Sequence, residues 1–342
     1  MKPRHRLMTT LSAGLLATSL AACGTSGNGE GGDAPDDGLT TVTAMMYPGQ
    51  GYRLPIVLAE EAGIFAKHGI KLKAVDQPNN LTGTQSMAAT KADVGHMVPA
   101  TVVQGWQAGD DFPLFCGGIT VLQTTLIANT ESDLPATSEG ASWQEVLKAL
   151  EGKKVGVQTP VGSALQLLFA EALSEAGVED VTYVNLGGAP TAVQAALGNG
   201  SVDVAAITPP ATQILDAAQF GKPLIYMSEG PETYQKTYGS GLIAPRAWLE
   251  SEPELARAFC DAQTEALEYI ADHANKEEAA RILAKDSALT PEVAERVVEN
   301  VYSDYSTELD EDTINSTLKT YLELGIAKPE PKPTFDSIVV VP

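Results

Sequence analysis

Ten residues stand in or beside Gly- and Pro-rich turns where a side chain or bare backbone can grip a small molecule: Gln50, Tyr52, Asn80, Met97, Thr101, Thr159, Gly162, Ser163, Gly188 and Thr208. Their chemistry is that of holding. In "YPGQGY" an amide (Gln50) and a phenol ring (Tyr52) can read one edge and one face of a ligand, since functional residues concentrate on such loops. Thr159, Gly162 and Ser163 open a helix, where a glycine lets a ligand approach backbone N–H groups and a serine either bonds it or caps the helix. Bond-breaking chemistry finds no matching set. HExxH, GxSxG, a Gly-rich loop ending in Lys-Ser/Thr and a His/Cys cluster are absent from the sequence. The histidines beyond residue 22 are scattered at 68, 96 and 273. No catalytic residue, metal or cofactor is expected.

Neighbouring groups have plainer readings. Arg53 either meets a carboxylate or sulfonate or faces water at a helix start. His96 reads as a strand-end histidine satisfied by backbone, and Asp93 and Asp203 as structural groups fixing the turn before a strand.

The elements that must position these residues come in two runs. "TVTAMM", the helix "LPIVLAEEAGIF", "IKLKAV", the helix "TQSMAATK", "ADVGHM" and a helix from Pro99 form the first. The second begins at Lys153: "KKVGVQ", a helix from Ser163 to Ala176, "VTYVN", the helix "TAVQAALGNG", "VDVAAI" and a helix from Pro209. Asp93 is answered by Asp203 and Pro99 by Pro209, at one offset of 110. Alternating strand and helix predicts α/β lobes with parallel, doubly wound sheets, and ligands gather beyond the carboxyl ends of such strands. The extended runs "ITVLQTTLIAN" (119–129) and "YGSGLIAP" (238–245) read as two crossings between the lobes, a hinge for closure around a ligand. Lobe 1 is expected to comprise 40–122 and 240–342, and lobe 2 to comprise 123–239.

The amino-terminal stretch sets the compartment. Lys2, Arg4 and Arg6 precede "LSAGLLATSL" and then Leu20-Ala21-Ala22-Cys23, which reads as an export signal over 1–22 rather than a membrane span. Residues 23–39, rich in Gly, Asp and Ser, read as a flexible tether. Removing 1–22 strips three basic residues and no acids, moving the formal charge from −22 to −25. That excludes nucleic acid or an anionic membrane surface as partner, because either needs a basic patch. Cys116 and Cys260 leave two alternatives open, a disulfide or two separately buried thiols.

The ending at Cys23, "LPIVLAEEAGIFAKHGI", the paired "ADVG" and "VDVA", and "SGLIAPRAWLESEPELARAF" together resemble the solute-binding lipoproteins of ABC importers. The resemblance, over residues 41 to 327, is to the branch that includes binders of aliphatic sulfonates, taurine, nitrate and thiamine pyrimidine precursors. It implies a type 2 periplasmic-binding-protein fold, a monomer lipidated on Cys23 at the outer face of the cell membrane, and a permease and ATPase as partners. It also implies capture of a small organic molecule, pyrimidine-like, an aromatic acid or a sulfonate. One departure stands out: sulfonate and nitrate binders often carry a Trp-Asp-Pro-like ending where this chain has Ile207 and Thr208 before Pro209. A less polar wall tilts the expectation toward an apolar or aromatic ligand body. The alternatives are an enzyme on the same scaffold acting on a pyrimidine-type substrate, or a lipoprotein reporting to a membrane sensor kinase.

Overall fold

The computed structural model describes residues 38–47, 51–77 and 83–342. The expected leader, tether and Cys23, and two of the candidate ligand residues, Gln50 and Asn80, lie outside the described residues. Ten strands run through the rest: β1 (Thr40–Met46), β2 (Ile70–Asp76), β3 (Val94–Met97), β4 (Leu114–Ile119), β5 (Thr125–Ala128), β6 (Lys154–Val157), β7 (Thr182–Asn185), β8 (Val204–Ile207), β9 (Lys222–Tyr226) and β10 (Ser240–Ile243).

They form two five-stranded sheets, ordered β2-β1-β3-β10-β4 and β7-β6-β8-β5-β9. Each has the same plan. The first strand lies between the second and third, all parallel, and the fourth place goes to an antiparallel strand. This corrects the expectation of wholly parallel sheets. β5 enters the second sheet from the first, and β10 returns to the first from the second, so each crossing run pairs into the sheet it reaches and does so in the opposite direction. The protein is thus a two-lobe α/β fold with residues 120–124 and 227–239 passing between its sheets.

The duplicated plan is visible at the level of single bonds. The Asp93 carboxylate accepts from the Thr43 N–H at 2.8 Å, and the Asp93 N–H donates to the Thr43 carbonyl at 2.8 Å. Asp203 makes the same pair with Lys154, both at 2.8 Å. Each aspartate therefore ties the start of its lobe's third strand to the first strand, which is the structural role its position suggested.

The prolines are less symmetric. Pro99 opens the helix Pro99–Ala108, but the matching helix is Ala211–Ala217 and begins two residues after Pro209. The cause is Pro210, whose ring disfavours helical backbone at the residue before it. Residues 208–211 form a turn instead, with the Ala211 N–H on the Thr208 carbonyl at 3.0 Å.

Behind the first sheet, the helix Pro253–Ala271 buries Ala256, Phe259, Ala262, Gln263, Ala266 and Ile270, a stripe of three- and four-residue steps, among Val42, Ala44 and Met46 of β1. The Phe259 ring meets Phe65 at 4.9 Å and Phe115 at 6.4 Å. Cys116 on β4 and Cys260 on this helix are joined as a disulfide with Cα atoms 5.7 Å apart. It fastens the strand that leads out of the first sheet to the helix behind it.

Candidate functional site

Tyr52 follows β1 in the turn Gly51–Arg53. The turn is fixed from both ends, by the buried Tyr302 hydroxyl donating to the Gly51 carbonyl at 2.6 Å and by Arg53. Arg53 is 8 % exposed, its Nε on both carboxylate oxygens of Asp286 (2.9 and 2.7 Å) and its Nη1 on Asp76. The guanidinium is therefore consumed by two internal carboxylates rather than turned to water or to a ligand.

Held in this way, the Tyr52 ring lies flat on His96 at the end of β3, with centroids 3.8 Å apart and planes 6° from parallel. His96 Nε2 is 3.3 Å from the Ser240 hydroxyl on β10, so the expected backbone partner is replaced by a serine from the returning strand. Only glycine fits beside this contact: a Cβ on Gly118 would stand 3.0 Å from His96 Nε2 and 2.8 Å from the Ser240 carbonyl. Burial holds the imidazole pKa down, from 6.5 to about 3, so the ring is neutral at physiological pH. Burial, then the neighbouring Tyr47 and Tyr305, push the Tyr52 phenol well up, opposed weakly by Arg53.

Across the cleft, the Gln158 side-chain oxygen accepts both the N–H (2.8 Å) and the hydroxyl (3.1 Å) of Thr208. The Gly162 N–H, in a left-handed turn with φ of 85°, is taken by the Gln166 side-chain oxygen at 2.9 Å. Ser163 caps the helix Ala164–Glu175 by accepting from the Gln166 N–H at 3.4 Å and donates to the Thr159 hydroxyl at 2.9 Å. The capping alternative is thus filled at Ser163.

A cavity of about 150 Å³ lies between these two walls. Tyr52, His96 and Val98 line it from one side, Leu165, Thr208 and Pro209 from the other, and Ile119 and residues 121–124 together with Gly239 and Ser240 close its floor. A recess containing Thr159, Gln166 and Thr208 continues it into the second lobe. A larger chamber of about 520 Å³ shares Val121, Gln123, Thr124 and Pro209 with it.

Of the expected ligand residues within the described chain, Tyr52 and Thr208 line the cavity and Thr159 the recess. Gly162 and Ser163 stand at the neighbouring helix start, bonded within the protein. Met97 does not face the cavity: it is 2 % exposed in the core, because side chains alternate along β3 and His96 takes the cleft side. Thr101 and Gly188 line none of these three spaces; Gly188 is exposed and its carbonyl accepts from Gln158 Nε2 at 3.5 Å. The sequence reading missed Leu165, Gln123, Ser240 and Tyr305. The last three come from the crossing segments and from a turn far along the chain. The runs 119–129 and 238–245 contain Gln123 and Ser240 but read as connections alone, and no local pattern marks Tyr305.

Two lobes of one strand order, joined by crossings that floor a cavity between them, define the fold of the periplasmic binding proteins. Residues 50–277 match the family described as NMT1/THI5 like, and the chain belongs to that family. It is 27 % identical over 250 residues to a putative aliphatic sulfonates-binding protein of Bacillus subtilis (strain 168), covering 72 % of this chain and 70 % of that one. Its structure is similar to the periplasmic aliphatic sulphonate binding protein SsuA from Escherichia coli, with a TM-score of 0.70 at 18 % identity over 87 % of this chain and 96 % of that one. It is also similar to the desulfurization enzyme DSZB, with a TM-score of 0.62 at 14 % identity over 88 % and 96 % of the two chains. The fold alone therefore accommodates both binding and catalysis.

Proposed function

We propose that this protein is the extracytoplasmic solute-binding component of an ABC importer, lipidated on Cys23 after removal of residues 1–22 and tethered by 23–39. It captures a small organic molecule between its lobes, closes about the two crossings, and presents the solute to a membrane permease and ATPase as a monomer. The observation that carries this reading is the cavity whose one wall is the Tyr52–His96 stack and whose floor is the crossing segment itself. A ligand ring against that stack couples directly to the residues that bend on closure. Micromolar affinity corresponds to about 8 kcal/mol, within reach of one buried ring and a few hydrogen bonds.

Catalysis is less well supported by the same geometry. Ser240 and His96 form the one hydroxyl–imidazole pair on the cavity wall among the described residues, and an imidazole with its pKa near 3 is a poor proton acceptor at neutral pH. A thermal-shift screen of the purified protein against sulfonates, nitrate, pyrimidines, aromatic acids and amines tests the proposal. A ligand that binds only the folded state raises the midpoint. Thr208→Arg should abolish the response to any hit; conversion of a hit into product by the purified protein would refute the binding reading.

A further inference from the structure

Resting on the solute-binding reading, we infer that the solute held in this cleft bears no anionic group and that a flat-ringed organic cation is the preferred class. A site for a carboxylate or sulfonate needs a basic side chain or unoccupied N–H groups at a helix start. Neither is offered. No lysine or arginine lines the cavity, its recess or the adjoining chamber. The segments 48–50 and 78–82, "PGQ" and "PNNLT", contain no basic residue. Arg53, beside Tyr52, is closed off by Asp286 and Asp76. The Thr208 N–H and hydroxyl are held by Gln158, and the Gly162 N–H by Gln166. These donors on the two walls already have a protein oxygen.

The chamber that opens from the ring site has the opposite character. Asp216, Glu229 and Asp304 stand in its wall, and so does the Tyr226 ring, 46 % exposed. Burial, followed by the Asp216 and Glu229 charges, pushes the Tyr226 phenol up. Asp216 is bridged to Arg296 and Asp304 accepts from Gln123 at 3.3 Å, whereas Glu229 is exposed at the chamber. Gln213, in the same wall and 7 % exposed, has a side-chain oxygen without a hydrogen-bond partner. An orphan acceptor, a bare aromatic ring and carboxylates around one space complement an ammonium group. The shared residues Gln123, Thr124 and Pro209 make the two spaces continuous, so a ring beside Tyr52 and His96 can extend an amine into the larger one.

Titration calorimetry with tyramine, tyrosol, 4-hydroxyphenylacetate and 4-hydroxybenzenesulfonate tests this, because the four share a phenol ring and differ in the charge of the tail. Tyramine is expected to bind about tenfold tighter than tyrosol, and the two anions weaker still. Glu229→Gln should narrow the amine-to-alcohol gap severalfold and leave tyrosol unchanged. An acid, sulfonate or alcohol that binds as tightly as the amine overturns the inference and leaves the solute-binding reading intact. If hits come only from the wider screen, their charge decides in the same way. Silence from every solute of either charge counts against the solute-binding reading itself.

Discussion

Tyr52 and His96 lie face to face, 3.8 Å apart and within 6° of parallel, although one comes from the turn after β1 and the other from the end of β3. The stack exists because β1 and β3 are neighbours in the sheet, so their carboxyl ends open side by side. It makes the wall of the cavity both flat and uncharged.

The charge state of His96 gives the first prediction. Its folded pKa, about 3, lies below the unfolded value of 6.5, so between these pH values the unfolded chain binds the extra proton. Stability from this group is complete above about pH 6.5 and is lost as the pH falls toward 3, at no more than about 1.4 kcal/mol per pH unit. Urea denaturation from pH 7 to 4 should show a shallower decline for His96→Phe than for the wild type; parallel curves would contradict the assignment.

Removing the ring opposite should affect ligand more than fold. Tyr52→Ala is expected to weaken any ring-bearing ligand about tenfold, while Tyr52→Phe keeps the stack and nearly all the affinity. Calorimetry on both variants with one hit from the solute screen is sufficient, and equal affinities for Ala and Phe would remove Tyr52 from the site.

The Cys116–Cys260 disulfide spans 144 residues of sequence and fastens β4 to the helix behind it. Replacing both cysteines by serine should lower stability by about 3 kcal/mol, and reductant should lower the wild-type midpoint but not that of the variant. Thermal denaturation with and without reductant reads both effects.

Asp93 and Asp203 perform one task in two lobes. Alanine at either position leaves a strand N–H without its carboxylate and should cost about 1–2 kcal/mol. Because the two bonds are in separate sheets, the double variant should lose the sum of the two single losses within about 0.5 kcal/mol. A clear departure from that sum in denaturant unfolding would show that the sites are coupled.

Arg53→Ala breaks a buried pair and leaves the Asp286 carboxylate without its guanidinium. The expected cost is about 3 kcal/mol, the lower end for buried pairs because Asp76 is half exposed. Calorimetry should find the ligand preference of the folded fraction unchanged.

Six of the ten strands, their order of appearance and the role of the paired aspartates were legible in the sequence, because hydrophobic period and turn chemistry are local properties and the chain states them twice. The ring of Tyr52 and the hydroxyl of Thr208 were legible for the same reason, each marked by a Gly or Pro turn at a strand end. Which face each residue takes was not. Met97 and His96 are adjacent in sequence, and the pleat of one short strand decides that the histidine meets the cavity and the methionine the core. The direction of β5 and β10, the disulfide, and the arrival of Gln123, Ser240 and Tyr305 beside Tyr52 were decided only by tertiary structure. They depend on contacts between segments far apart in the chain, which no local pattern records. The same holds for Arg53: its type and place left an anion or water open, and only the folded chain shows that two distant carboxylates hold it.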